Sequence, residues 1–155
     1  FHKVERAEAL DGESCTRMSA LAAELGVHLL LGSLAERRLL DDGSVDPKRC
    51  YNTSVLFGPE GEQLASYRKV HLFDVDVRGK VSIRESDSVC PGEEVVVVDT
   101  ALGKLGLSIC YDVRFPELYR VLVDRGAEVI MVPSAFTLTT GKDHWHALLR
   151  ARAIE

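Results

Sequence analysis

The chain has 155 residues, 46% hydrophobic and 28% charged, which is enough for one domain with a real core. A net charge of -5 with no Lys/Arg cluster argues against a nucleic-acid partner, and no apolar run reaches the length that spans a bilayer. The four cysteines Cys15, Cys50, Cys90 and Cys110 are dispersed without a CxxC pair, which speaks against a zinc knuckle or disulfide framework and for a reducing, cytoplasmic compartment.

In chain order, Met18, Leu21, Ala22 and Leu25 fall at helical spacing within Glu13 to Leu25, and Gly26 is placed to cap that helix. Val27 to Leu31 reads as an apolar strand. The charged, turn-rich stretch Ala35 to Arg49 reads as an exposed connection. Ser54 to Phe57, the turn Gly58-Pro59-Glu60-Gly61 and Gln63 to Arg68 form a hairpin signal. Val95 to Val98 and Lys104 to Ile109, flanking Thr100-Ala101-Leu102-Gly103, read as a second strand pair. Pro116 suits the first position of a helix that runs to Arg125 and stops at Gly126. Glu128 to Val132 then reads as a buried strand closed by Pro133. Asp143 is placed to cap a last helix carrying Trp145, Leu148 and Leu149. That helix reaches Glu155 without a stop signal, so the natural protein is expected to extend beyond both ends of residues 1–155. Helical and extended segments alternate, the pattern of an α/β protein.

Cys110 closes the apolar run Leu105 to Ile109 and opens the turn and helix start Tyr111-Asp112-Val113-Arg114-Phe115-Pro116-Glu117. A buried strand that delivers a thiol to its C-terminal end is how α/β enzymes present a nucleophile. On spacing alone a core cysteine is equally admissible, because free Cys is among the most buried residue types. Lys69, at the end of a strand in Tyr67-Arg68-Lys69-Val70-His71, would by itself read as a solvated edge lysine.

Taken together, the Tyr67-Arg68-Lys69 and Ile109-Cys110-Tyr111-Asp112-Val113-Arg114-Phe115-Pro116-Glu117 segments resemble the lysine and cysteine motifs of the nitrilase superfamily of carbon-nitrogen hydrolases. Tyr51-Asn52, Pro133-Ser134-Ala135-Phe136, Gly141, His144-Trp145 and Leu149 to Glu155 extend the likeness, which is to the Nit branch of amidases. The resemblance implies a nitrilase fold, an α-β-β-α sandwich, of which residues 1–155 would form a partial domain truncated at both ends. It implies a hydrolase that cleaves a small amide to carboxylate and ammonia through a Cys110 thioester. No metal or organic cofactor is expected, nor a nucleic-acid or membrane partner, and a homodimer or larger homo-oligomer is.

The resemblance also assigns roles. Lys69 would stabilise thiolate and oxyanion, and Lys69 Nζ and Cys110 Sγ are expected in one pocket. The backbone N-H of Tyr111 would be a second oxyanion donor. Glu85 matches a second family glutamate that positions substrate and catalytic groups; by itself it reads as an exposed loop acid. Phe136 and Thr139 are candidates to line the substrate pocket, although an aromatic there is as readily core. Arg114 and Glu117 match positions expected to hold the cysteine turn by charge-assisted hydrogen bonds. His71 and His144 are left out, because the family does not use histidine as base. The principal glutamate of the family matches neither Glu5 nor Glu8 and is expected ahead of Phe1. Two alternatives stay open: an N-carbamoyl or nitrile hydrolase of the same superfamily, or a non-catalytic binding module that retains the fold.

Overall fold

The computed structural model describes residues 3–77 and 81–155, apart from the side chains of Val77, Val81 and Thr139. It divides into two compact units, Phe1–Glu94 and Val95–Glu155.

In the first unit, helix α1 (Glu13–Leu25) ends at Gly26, whose φ of 62° is the left-handed conformation that glycine adopts without a Cβ penalty. Its N-terminus is closed by Glu8, whose carboxylate accepts hydrogen bonds from the Ser14 N-H at 2.8 Å and the Ser14 hydroxyl at 2.6 Å. These bonds hold the Glu8 carboxyl below its usual range. The charged segment ahead of α1 forms turns and a bridge from Glu8 to Glu36. Cys15 and Ala22 of α1 pack on Val55 and Phe57, with Met18, Leu29 and Leu31 around them.

Beneath α1 lies an antiparallel sheet of three strands in the order β1 (Leu29–Leu39), β2 (Val45–Phe57) and β3 (Gln63–Arg68). The hairpin of β2 and β3 is where the turn signal placed it. Ala35 to Arg49 is largely exposed, as expected, but it is not a connection: β1 runs on to Leu39, β2 starts at Val45, and only a short turn separates them. The physical reason is that two of its acids are buried against arginines. Glu36 pairs with Arg68 and Asp46 with Arg38, so charges that read as solvated are internal to the sheet. A second pair of strands, β4 (Asp74–Val77) and β5 (Val81–Arg84), forms an antiparallel ribbon that the sequence analysis did not assign, although both segments alternate polar and apolar residues.

The second unit is built on a three-stranded sheet, β6 (Val97–Thr100), β7 (Gly103–Leu107) and β8 (Val129–Met131). β6 and β7 are antiparallel, whereas β7 and β8 are parallel and joined through helix α2 (Pro116–Asp124). Pro116 occupies the start of α2, where its missing N-H costs nothing. Leu118, Tyr119 and Leu122 of α2 form the core with Val113, and Leu148 and Leu149 of α3 (Leu138–Ile154) pack against it. α3 starts five residues before the expected Asp143 cap (143 minus 138). Thr137 takes the extended cap conformation and its carbonyl accepts the Gly141 N-H at 2.7 Å, which sets the earlier start. β8 is less buried than its composition suggests, with Val129 48% exposed.

Candidate active site

The first unit brings two of the three expected catalytic residues together. Lys69 follows directly on β3, and its backbone is pinned on both sides: its N-H donates to the Asn52 carbonyl of β2 at 2.8 Å, and its carbonyl accepts the Gly92 N-H at 2.8 Å. Its side chain is only 3% exposed, and Nζ donates to Glu85 Oε2 at 2.6 Å. Burying an ammonium is costly unless it is paired and hydrogen-bonded, and Glu85 supplies both.

Glu85 is not an exposed loop acid. It opens a 3-10 turn (Glu85–Asp87) after β5 and is buried. Its Oε2 also accepts the Phe73 N-H at 2.8 Å, its Oε1 accepts Asn52 Nδ2 at 3.2 Å, and Lys3 Nζ lies 3.7 Å from Oε1. Burial pushes the Glu85 carboxyl up, but the Lys69 bond, the Phe73 N-H, the Lys69 charge and Asn52 together outweigh it and hold it below the usual carboxylate range. Glu85 is therefore an anion at neutral pH.

Cys110 belongs to the second unit. The parallel pairing of β7 with β8 continues past both strands: Ser108 N-H donates to the Met131 carbonyl at 3.1 Å and Cys110 N-H to the Pro133 carbonyl at 2.9 Å. Cys110 thus sits at the C-terminal end of parallel strands, the end where α/β proteins place their ligands. There it opens a 3-10 turn (Cys110–Arg114) with a φ of 48°. A non-glycine residue in the left-handed region is uncommon and costs on the order of 1–3 kcal/mol, a cost that clusters at functional sites. Cys110 is half-buried, whereas Cys15, Cys50 and Cys90 are buried. Burial pushes the thiols of Cys15 and Cys50 up, away from thiolate.

Asp112, fully buried, holds the turn: its Oδ2 accepts the Ile109 N-H at 2.8 Å in a capping arrangement. This corrects the assignment of that task to Arg114 and Glu117. Arg114 instead contacts His144 Nδ1 at 3.1 Å and lies over the rings of Tyr111 at 5.7 Å and Phe136 at 5.4 Å. Glu117 is exposed in the first turn of α2, where an acid favours the helix dipole. Tyr111 follows Cys110 in the turn and sets its ring edge-on to Phe115 at 5.5 Å. Phe136 is half-buried against Trp145, 4.9 Å between ring centroids. Thr139 falls in the first turn of α3, and its side chain lies outside the described residues. Behind the turn, Ser108 donates to the Met131 carbonyl at 2.7 Å and so accepts from the Tyr119 hydroxyl at 3.0 Å. Burial pushes that phenol up to about 12, keeping it a neutral donor.

Sequence reasoning missed Asp112, Gly92, Glu36 and the side-chain role of Asn52. Only Asp112 carried a readable signal, an acid three residues after Ile109, where the expected strand ends, which is capping spacing. Among the described residues no cluster of His, Cys, Asp and Glu is placed to hold a metal ion.

Residues 2–155 match the family model described as carbon-nitrogen hydrolase. The chain belongs to the carbon-nitrogen hydrolase family. It is 43% identical over 151 residues to the omega-amidase NIT2 of Homo sapiens, an alignment covering 97% of this chain and 52% of that protein. The chain therefore spans about half the length of the curated relatives it matches. Among solved structures, the NitFhit protein of C. elegans matches at a TM-score of 0.80 and 43% identity, covering 93% of this chain and 34% of that one. Nit3 of Saccharomyces cerevisiae, a member of branch 10 of the nitrilase superfamily, matches at a TM-score of 0.77 and 36% identity, over 97% of this chain and 50% of that one. An amidase of Nesterenkonia sp. AN1, solved with the acetamide moiety of fluoroacetamide on its active-site cysteine, matches at 0.71 and 32%, over 90% and 47%. The expected nitrilase fold and the Nit-branch likeness both stand.

Proposed function

We propose that the protein carrying this chain is a Nit-type amidase that hydrolyses small amides, ω-amides of dicarboxylates first among them, with Cys110 as nucleophile. The observation that carries this reading is the placement of Cys110, half-buried and at positive φ at the C-terminal end of β7. The similarity to omega-amidases supports the substrate class. Cys110 Sγ bonds to the amide carbon while its proton passes to a carboxylate base, which returns it to the departing ammonia and then activates water against the thioester. Lys69 opposes the negative charge that develops on thiolate and oxyanion. Glu85, engaged by Lys69, Phe73 and Asn52, holds that side chain in place. Glu8 is committed to the start of α1 and is not assigned as that base. A cytoplasmic location and a homo-oligomeric assembly belong to the same proposal, checked by fractionation and light scattering.

Ammonia release from ω-amides of four- and five-carbon dicarboxylates, measured on the full-length protein, tests it. Turnover should vanish in Cys110→Ala and fall on the order of a hundredfold in Lys69→Ala. Iodoacetamide should label Cys110 ahead of the three buried cysteines. A full-length protein that releases no ammonia from amides but acts on N-carbamoyl or nitrile compounds would move the substrate class. Inactivity on all three would leave the binding-module reading.

A further inference from the structure

Glu36 is a carboxylate inside the sheet that the proposed reaction does not use. It is 4% exposed, and its oxygens are all engaged. Oε2 accepts the Thr53 hydroxyl at 2.6 Å and Arg68 Nε at 2.9 Å, and Oε1 accepts Arg68 Nη2 at 2.5 Å. Arg68 is thereby held by a two-bond fork while its guanidinium lies 4.1 Å over the Tyr51 ring. Glu36, Thr53 and Arg68 come from β1, β2 and β3, so one carboxylate ties all three strands together at the end from which Lys69 departs.

Side chains alternate across a strand, so Arg68 and Lys69 take opposite faces. Thr53 pairs with Arg68 in the sheet register, and the neighbouring Asn52 accepts the Lys69 N-H and donates to Glu85. The two networks therefore share one short piece of backbone: Glu36 holds Thr53 and Arg68 on one face, and Glu85 holds Asn52 and Lys69 on the other. Arg68 is half exposed, and an ion pair open to solvent adds little to stability. Its directional bonds can instead set geometry. We infer that Glu36 is a positioning residue for Lys69, acting through Arg68 to set the end of β3 from which the ammonium projects. This rests on the proposed role of Lys69 in amide hydrolysis.

The test uses the full-length protein in five forms: wild type, Glu36→Gln, Arg68→Gln, the double variant, and Val55→Ala. Val55 is fully buried among Cys15, Ala22 and Phe57 and, being apolar, makes none of the hydrogen bonds of either network, so its truncation lowers stability without removing one of them. Three readouts are taken: kcat and KM for an ω-amide, the thermal midpoint, and the 13Cε NMR signal of Lys69, assigned with Lys69→Arg. Either single variant should lower kcat about tenfold with KM within about twofold, since misplacement of a catalytic group acts on the chemical step. Each should also shift the Lys69 signal. The double variant should be no worse than the singles, because both act through one contact. Val55→Ala should lose stability and keep kcat and the signal. The inference is overturned if Glu36→Gln behaves as Val55→Ala does, or if the double variant is additive. Should the wild type release no ammonia, the proposed function falls and the Lys69 signal alone decides: a shift in Glu36→Gln upholds the positioning role, an unmoved signal ends it.

Discussion

Lys69 and Cys110 are held in place by opposite means. Around Lys69 the work is done by side-chain charge: a buried carboxylate on its ammonium, and a second carboxylate on the arginine beside it. Around Cys110 it is done by main chain: a strand ladder prolonged to Pro133, a positive φ and one capping carboxylate. The difference fits what the proposed reaction asks of each group. An ammonium that is to oppose developing charge has to stay charged while buried, and only an opposite charge nearby achieves that. A thiol has to be reachable, and a sharp turn at a strand end exposes it without taking neighbours away.

The sharpest way to break the charge-held side is Glu85→Gln. The neutral amide leaves the Lys69 ammonium buried without a counter-ion, and removing one partner of such a pair costs about 3 kcal/mol. The loss should depend on pH in a defined direction. Glu85 is held below its usual range in the folded protein, so its contribution is fully present above the unfolded carboxyl value of about 4.3 and is lost as pH falls through the lower folded value. Denaturant unfolding of wild type and variant should therefore differ most at neutral pH and converge in acid. A gap that stays constant from neutral pH into acid would show that Glu85 carries no net charge in the fold.

Gly92→Ala tests whether the backbone around Lys69 matters beside its charges. A Cβ at Gly92 would stand 2.2 Å from the Arg68 carbonyl oxygen and 2.7 Å from the Arg68 Cβ, a clash with main chain that a rotamer change cannot relieve. Gly92 also donates its N-H to Lys69, so the strain falls on the residue that carries the ammonium. We expect a loss of about 1–3 kcal/mol, as for other overpacking changes, together with reduced turnover. An unchanged denaturation midpoint would mean that the segment around Gly92 shifts freely and is no part of the Lys69 support.

How far each region could be read from the sequence tracks the same contrast. Much of what surrounds Cys110 is local: the end of the strand, the turn, the capping spacing of Asp112 and the proline that starts α2 fall between Leu105 and Pro116 and carry signals of their own, and only the ladder partner Pro133 is distant. The surroundings of Lys69 are assembled from afar. Glu36 lies 32 positions from Arg68 and Glu85 16 positions from Lys69, and each sits in a charged stretch that looks solvated until its partner is known. The misread Ala35 to Arg49 segment has the same origin: pairing of Glu36 with Arg68 and of Asp46 with Arg38 turns an apparent loop into two strands. Motif resemblance located Lys69 and Glu85, but not the ion pair that supports their neighbour.

The smallest expected effect probes the backbone-held side. Cys110→Ala and Cys110→Gly both remove the thiol, so neither should turn over substrate, yet they differ in one respect. Alanine keeps a Cβ in the left-handed region at a φ of 48°, and glycine does not. If the turn stores strain, Cys110→Gly should be the more stable of the two by about 1 kcal/mol, after glycine's greater unfolded-state entropy has been set against the relief. In a protein of about 150–250 residues that is roughly 2–4 °C in thermal midpoint. Alanine matching or exceeding glycine would show that the turn accommodates a side chain without penalty, and that the exposure of Cys110 comes from its place at the strand end alone.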